Sequence, residues 1–179
     1  MVKEDSPWQT GNYPGEHQAK LVTPEVAAKL IKKAKRPLFV GGSLLLGDLN
    51  GKPLIDYAME IAKASKMPVV AVAHTKKKFL ENGFHPTASM PVINLVDRLK
   101  DPEWKGVKGE GQHDLVVFMG VLYYMGSQGL STLKHFAPHL TTITICRFFH
   151  PNANFSFGNM DDKKWTESLN TLIKNLKGG

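Results

Sequence analysis

The chain has 179 residues, of which 42% are hydrophobic, so it is long enough for one full-sized core and is not a mainly disordered protein. No apolar stretch approaches the roughly 20 residues that a membrane-spanning helix needs, and the first residues lack the apolar segment of a secretory signal. We therefore expect a cytoplasmic protein without a membrane partner.

The chain is basic, with a net charge of +7 and lysines grouped between residues 20 and 36 and again at residues 76–78. A basic surface attracts nucleic acid, anionic ligands or acidic proteins. Neither a zinc-finger spacing nor the aromatic-plus-basic pattern of an RNA-recognition module is present, so we expect no nucleic-acid partner. A solvated, lysine-rich helix face remains the ordinary alternative.

The single cysteine, Cys146, lies at the end of the run Thr142-Ile143-Thr144-Ile145-Cys146. One cysteine forms no internal disulfide and holds neither an iron–sulfur cluster nor a zinc site made of several thiolates. Its strand-like setting predicts a buried, inert thiol rather than a nucleophile. Any cluster chemistry must therefore come from a partner.

Helix and strand patterns alternate along the chain after a polar N-terminal segment. Residues 1–20, rich in proline, glycine and polar types, predict an arm, and residues 21–179 a single α/β domain. Thr23 is a good N-cap and Pro24 suits the first helical position, so a helix begins there. The remaining predicted elements are a strand over 38–42, a helix from Pro53, a strand over 68–73, a short helix over 76–80, a helix over 91–99, a loop over 100–113, a strand over 114–120, a helix over 127–137, a strand over 140–146, an irregular aromatic segment over 147–160 and a helix from Asp161.

This alternation predicts a doubly wound α/β domain, in which a mostly parallel sheet carries helices on both faces. The strands are continuously apolar rather than alternating, as in a sheet covered on both sides. Ligands of such sheets bind outside the carboxyl ends of the strands, where the strand order reverses. If the strands over 38–42 and 114–120 flank that reversal, residues 41–43 and 120–124 line one crevice.

A glycine turn, Gly41-Gly42-Ser43, ends the first strong strand and is the first candidate ligand site. Gly42 and Gly47 have the spacing of a phosphate-binding P-loop, but Asp48 stands where that motif needs lysine. No G-x-G-x-x-G follows the strand either. ATP hydrolysis is therefore not expected, and a tight turn without a ligand remains an equal alternative.

The run Gly126-Ser127-Gln128-Gly129 is a second candidate, because small residues at a predicted helix N-terminus expose N–H groups to an anion. An ordinary N-cap by Ser127 is the alternative. Two such turns at neighbouring strand ends would hold the two ends of a dinucleotide. The predicted cofactor-contacting residues are Gly41, Gly42, Ser43, His74, Gly120, Tyr123, Gly126, Ser127 and Gln128.

No catalytic constellation is evident among the polar residues. None of the seven histidines is paired at metal-ligand spacing on a clear helix face, and no carboxylate pair or Ser-His-Asp order is recognisable. His74, directly after a strand, is the histidine most expected to face the crevice. The aromatic segment 147–160 carries four phenylalanines without helical spacing, which predicts either core residues or an apolar patch for a partner.

Taken together, several segments resemble the epsilon subunits of the archaeal acetyl-CoA decarbonylase/synthase complex. No single motif carries the resemblance; it comes from the order and spacing of segments along nearly the whole chain. The segments are the N-terminal arm, RPLFVGGSLLLGD over 36–48, MPVVAVAHT over 67–75, HDLVVFMGVLYYMGSQGLSTLKHFAPHLTTITI over 113–145 and NANFSFGNM over 152–160.

The resemblance implies a three-layer Rossmann-like domain of the DHS-like NAD/FAD-binding type, as in sirtuins and the middle domain of thiamine-diphosphate enzymes. It also implies assembly, as two alpha and two epsilon chains, with a nickel–iron–sulfur alpha subunit. This carbon monoxide dehydrogenase component belongs to a larger assembly with beta, gamma and delta subunits, which cleaves and makes acetyl-CoA reversibly in one-carbon metabolism.

Two roles for the chain follow from the resemblance. One is a non-catalytic subunit that stabilises the alpha subunit, with nickel and iron–sulfur clusters only in that partner. The other is a module that binds FAD in the crevice and relays electrons from CO oxidation. The family offers no established catalytic residues to transfer, and self-association of the isolated chain is left open.

Overall fold

The computed structural model describes residues 18–72 and 74–178, and within them one parallel sheet carries helices on both faces. The predicted α/β class is therefore confirmed. The strands are β1 (Lys20–Leu21), β2 (Pro37–Gly41), β3 (Asp48–Leu49), β4 (Lys52–Pro53), β5 (Val69–Ala71), β6 (Ala88–Ser89), β7 (Leu115–Met119), β8 (Thr141–Thr144) and β9 (Phe155–Ser156). The helices are α1 (Pro24–Lys33), α2 (Leu54–Ser65), α3 (Thr75–Glu81), α4 (Val92–Lys100), α5 (Tyr123–Phe136) and α6 (Asp162–Lys177), with a 3₁₀ turn at Ser43–Leu46.

The seven-stranded sheet has the order β1-β9-β8-β7-β2-β5-β6, and all its pairs are parallel. From the inner strand β2 the chain moves outward to β5 and β6, then returns to the other side of β2 with β7 and continues to β8 and β9. The strand order therefore reverses between β2 and β7, which meets the condition stated above for the strands over 38–42 and 114–120. Strands β3 and β4 form a separate antiparallel hairpin.

Two hydrophobic cores lie on the two faces of the sheet. Helices α1, α2 and α6 cover one face, where Phe39 of β2 points, and α4 and α5 cover the other, where Leu38 and Val40 point. Successive residues of a strand point to opposite faces, so burial on both sides requires the continuous apolar run of β2. No helix in the described ranges is both long and apolar enough to cross a membrane.

The prediction that a helix begins at Ser127 is wrong, because α5 begins four residues earlier, at Tyr123. Gly120, with φ of 72°, turns the chain out of β7, and Leu122 is extended and precedes the first helical turn. The aromatic pair Tyr123-Tyr124 occupies that turn. The small polar residues after it resemble a cap in sequence but lie inside the helix.

The N-terminal arm was predicted over residues 1–20, and residues 1–17 lie outside the described part of the chain. Lys20 forms part of β1 and pairs with Phe155 of β9 at the sheet edge, while Ala19 is buried. The segment 147–160 is irregular as predicted, apart from the two residues of β9. This segment crosses the carboxyl end of the sheet and returns to its edge.

Candidate functional site

The two predicted glycine turns meet at the reversal of strand order, and their backbones touch. The N–H of Gly42 donates to the carbonyl oxygen of Met119 (2.9 Å), and the N–H of Leu44 donates to that of Gly120 (2.8 Å). A Cβ atom built on Gly42 would overlap the Gly120 carbonyl oxygen and the Val121 backbone. Gly42 is therefore required by the contact between the two turns, whatever binds nearby.

The fully buried side chain of Leu45, in the 3₁₀ turn, fills the space next to Gly41 and Gly120. A Cβ atom on Gly41 would lie 2.8 Å from the Leu45 Cδ1, and one on Gly120 would lie 2.8 Å from the Leu45 Cγ. In dinucleotide-binding folds a phosphate approaches the equivalent glycines. Here the N–H groups of Gly42, Leu44 and Leu45 already donate to carbonyl oxygens of the protein.

A pocket of about 280 Å³ lies beside this filled position, at the carboxyl ends of β7 and β8. We call it the carboxyl-edge pocket. Its apolar walls include Leu44, Leu49, Leu54, Phe148 and Trp165, and its polar groups are Asp48, Arg147, His150 and Asp162. Of the predicted cofactor-contacting residues, Gly120 and Tyr123 line it.

His150 is the most unusual polar group in this pocket. Its ring is buried and stacks on the ring of Tyr123, with centroids 4.5 Å apart and planes 26° apart. Its Nδ1 has no hydrogen-bond partner within the described residues. Burial lowers the pKa of His150 to about 4, so the ring is neutral at pH 7. A neutral imidazole beside a pocket offers one acceptor or one donor to a ligand.

Arg147 supplies a positioned cation at the rim of the pocket. Its Nη1 lies 2.6 Å from the Asp162 Oδ1, and its Nε donates to the Met160 carbonyl oxygen (3.1 Å). Its guanidinium carbon also lies 5.3 Å from the centroid of the Phe148 ring. These contacts hold the guanidinium in one place and partly neutralise it.

Cys146 lies in the pocket wall and is buried, as predicted from its strand-like setting. Burial raises the pKa of its thiol to about 11, so the thiolate is scarce at neutral pH. Within residues 18–72 and 74–178, no three histidine, cysteine or acidic side chains are grouped closely enough to hold a metal ion.

The other predicted site residues do not line the carboxyl-edge pocket, although Gly126 packs against the His150 ring, where a Cβ atom would lie 3.2 Å from the His150 Cε1. Ser43 is in the 3₁₀ turn, and His74 is exposed in front of α3, after β5. Gly126, Ser127 and Gln128 lie within α5, where the N–H of Gly126 donates to the Leu122 carbonyl oxygen (2.8 Å). The anion-binding helix start assumed for these three residues does not exist. Their contact with a cofactor stays a prediction.

Arg147, His150 and Trp165 were not singled out from the sequence. The Nε1 of Trp165 donates to the Ile145 carbonyl oxygen (3.0 Å), which fixes α6 over the end of β8. The available signal was the aromatic segment 147–160, which was expected to supply core residues or an apolar patch. It supplies both, because Phe149 and Phe157 are buried and Phe148 is exposed.

Five large apolar side chains, of which Leu44, Tyr123 and Phe148 line the pocket, remain between 41% and 62% exposed at this end of the sheet. They belong to the segments that follow β2, β7 and β8, which all emerge at the same edge of the parallel sheet. We call this the carboxyl-edge surface; its members are Leu44, Leu46, Tyr123, Tyr124 and Phe148. Exposed apolar patches of this kind mark interaction sites.

The parallel sheet with its central reversal defines a Rossmann-like, doubly wound domain whose binding edge lies at the strand ends. Residues 1–173 match the family model described as CO dehydrogenase beta subunit/acetyl-CoA synthase epsilon subunit, and the chain belongs to this family. The resemblance noted in the sequence is therefore confirmed.

Three relatives, each named as an acetyl-CoA decarbonylase/synthase complex subunit epsilon, illustrate the similarity. The Methanothermobacter thermautotrophicus protein is 46% identical over 93% of both chains. The Archaeoglobus fulgidus protein, epsilon 1, is 38% identical over 89% of this chain and 85% of its own. The Methanothrix soehngenii protein is 36% identical over 89% of this chain and 83% of its own.

Proposed function

We propose that this chain is an accessory subunit that binds and stabilises the nickel–iron–sulfur alpha subunit of an acetyl-CoA decarbonylase/synthase complex. In this role the alpha subunit carries the metals and the carbon monoxide dehydrogenase chemistry, and this chain carries none of the reaction. The observation that supports the proposal best is the carboxyl-edge surface. The family's name as a complex subunit and the buried, protonated Cys146 agree with it.

The carboxyl-edge surface has the composition of a docking site. Tyr123 and Tyr124 supply aromatic rings with a polar tip, the type of residue that dominates binding energy in interfaces. Burying apolar surface contributes about 25 cal/mol per Å², and the open pocket beside it admits a side chain from the partner. Association through this surface would stabilise the folded alpha subunit, because a partner that binds only the folded form of a protein shifts the equilibrium toward that form.

The experiment uses the alpha subunit purified without oxygen and the full-length chain. The two are mixed, separated by size, and the half-life of CO oxidation is measured on heating. We expect co-elution in equal numbers and a longer half-life with the chain present. A chain that elutes alone and leaves the half-life unchanged would contradict the proposal.

A second candidate function is FAD binding for electron transfer, and the carboxyl-edge pocket is the observation that favours it. When bound, FAD would accept electrons from metal clusters one or two at a time. The fit to this chain is partial. Tyr123 and His150 offer stacking and a hydrogen bond to a ring, but the N–H groups of the glycine turn are already used. The pocket volume, about 280 Å³, lies just below the roughly 300–1,000 Å³ typical of ligand sites, so the pocket would hold only one end of FAD.

Flavin fluorescence tests this second function separately, in the chain alone and in the complex. We expect saturable quenching that weakens about tenfold or more in His150→Phe, which keeps an aromatic ring but removes the nitrogens. The exposed His139→Phe is the matched control and should bind like the wild type. Absence of saturable quenching in both samples would exclude the electron-transfer role and leave the docking proposal intact.

A further inference from the structure

A larger cavity, of about 530 Å³, lies at the opposite edge of the sheet, where β2 and β5 begin. It is enclosed by the last turns of α1 and α2 and by the loop over 106–113. We call it the amino-edge pocket. It is separate from the carboxyl-edge pocket, and no function described so far uses it.

Positive charge dominates the lining of this pocket. Its cationic side chains are Lys32, Lys35, Arg36, Lys66 and Lys108, and Glu110 is the one acidic side chain among the described residues that line it. Lys32 donates to the Gly178 carbonyl oxygen (3.1 Å) and is therefore partly used. The ammonium groups of Lys35, Lys66 and Lys108 form no ion pair within the described ranges.

Arg36 is held in a position that leaves its terminal nitrogens available. Its Nε donates to the Gln112 carbonyl oxygen (2.5 Å), and its guanidinium lies against Gly111, where a Cβ atom would be 3.2 Å from the Arg36 Cζ. Neither Nη of Arg36 has a hydrogen-bond partner among the described residues. A planar guanidinium with two free N–H edges is suited to phosphate or carboxylate oxygens.

His113 and Asp114 fix the backbone around this guanidinium. The Nδ1 of His113 lies 2.9 Å from the Arg36 carbonyl oxygen, and its Nε2 accepts from the Val107 N–H (3.3 Å). The Asp114 carboxylate accepts from the backbone N–H groups of Lys35 (2.7 Å) and Arg36 (2.8 Å). The pocket wall is therefore built before any ligand enters.

Lys66 lines the pocket although its backbone adopts a conformation that is unfavourable for lysine. It follows α2 with φ of 58° and ψ of 22°, the left-handed region, in which helix ends usually place glycine. Glycine there would relieve strain of about 1 kcal/mol. The chain instead carries a lysine whose side chain lines the pocket.

Cationic side chains are favourable near the negative C-terminal ends of helices, but this effect accounts for only part of the positive charge around the amino-edge pocket. The C-termini of α1 and α2 each carry about half a negative charge, which falls off within one turn. Together with Glu110 and Asp114 they amount to about three negative charges, against five cations. Because Asp114 already accepts two N–H groups, a surplus of positive charge faces the cavity.

We propose that the amino-edge pocket binds a small phosphorylated molecule carrying at least two negative charges, anchored on the free guanidinium edge of Arg36. The volume is within the range of ligand sites and exceeds what one phosphate group fills. Lys35, Lys66 and Lys108 supply the remaining charge around the anion. This site is independent of the docking and flavin proposals.

Calorimetric titration with pyrophosphate at physiological salt tests the proposal. We expect saturable binding that weakens about tenfold in Arg36→Gln and about fivefold in Lys66→Gly. Lys66→Gly should also raise the melting temperature, so weaker binding cannot be attributed to unfolding. The control is Lys33→Gln, which removes an exposed charge of α1 outside the pocket and should bind pyrophosphate normally.

Three results would overturn the assignment, and the third concerns His150→Phe. One is the absence of saturable pyrophosphate binding by the wild-type chain. Another is an equal loss of affinity in Lys33→Gln and Lys66→Gly, which would show diffuse surface charge rather than a site. Unchanged pyrophosphate binding by His150→Phe would show that the anion does not bind in the carboxyl-edge pocket. A loss of pyrophosphate binding in this variant would place the anion in the carboxyl-edge pocket and also contradict the proposal.

Discussion

The imidazole of His150 stacks on the phenol ring of Tyr123, and together the two rings form one wall of the carboxyl-edge pocket. One ring comes from the first turn of α5 and the other from the connection between β8 and β9. Burial lowers the pKa of His150 and keeps the imidazole neutral, so protonation of His150 destabilises the folded state.

Stability should therefore depend on pH through His150. The pKa of His150 is about 4 when folded and about 6.5 when unfolded, so below pH 6.5 the unfolded chain takes up a proton that the folded chain refuses. The free energy of unfolding should be highest above pH 6.5 and fall by about 3 kcal/mol in total by pH 4.

Urea unfolding at pH 7.5, 6 and 5 measures this dependence. His150→Phe preserves the stack on Tyr123 and removes the titrating group, so its stability should fall less over that range than that of the wild type. Burial also lowers the pKa of His113, which contributes in the same direction to both proteins and cancels in the comparison. Identical pH dependence in the two proteins would refute the role of His150.

A Cβ atom at Gly42 should disrupt the fold itself. Gly42→Ala places a methyl group onto the Gly120 carbonyl and the Val121 backbone, which cannot move away as a side chain can. We expect a loss of about 2 kcal/mol or more, measured by chemical denaturation. Gly47→Ala is the matched control, since its nearest atom would be 3.5 Å from the new Cβ atom and its φ is −85°. If both variants keep wild-type stability, the two glycine turns are not in contact as described.

Asp114 should stabilise the connection between α1 and β2. Asp114→Ala leaves the backbone N–H groups of Lys35 and Arg36 without their acceptor, and we expect a loss of about 1–2 kcal/mol in the free energy of unfolding. The exposed Asp97→Ala removes a surface ion pair with Lys100 and should change stability by less than about 1 kcal/mol. Equal effects of the two substitutions would contradict this role for Asp114.

The sequence predicted those parts of the fold that are encoded by local features, namely helix caps and continuous apolar runs. Thr23 caps α1 and Asp161 caps α6, each accepting a backbone N–H, and Pro24 occupies the first position of α1. The continuous apolar runs of β2, β5 and β7 indicated a parallel sheet buried on both faces. The reversal between β2 and β7 was considered only as a condition, and the strand order of the structure meets it.

Other features of the fold depend on tertiary contacts, which local sequence patterns do not encode. The start of α5 at Tyr123 depends on the turn at Gly120, whereas Ser127 offered a more familiar cap. The hairpin of β3 and β4 has an Asn50-Gly51 turn with two positive φ values, and this dipeptide is a recognisable hairpin signature in the sequence. His150 reaches the pocket only because the 147–160 segment crosses the sheet, a path that residue types along the chain do not specify.

The most direct test of the docking account is the affinity of the alpha subunit for variants of exposed aromatic residues. Tyr124→Glu and Phe148→Glu place a charge on the carboxyl-edge surface, whereas Phe136→Glu does so at the far end of α5, where Phe136 is 67% exposed. All three residues are exposed, so each variant should fold, and circular dichroism checks this. We predict binding at least about a hundredfold weaker for the first two variants and unchanged binding for Phe136→Glu, because a buried unpaired charge is strongly unfavourable. Wild-type affinity in both carboxyl-edge variants, or a loss confined to Phe136→Glu, would contradict the account.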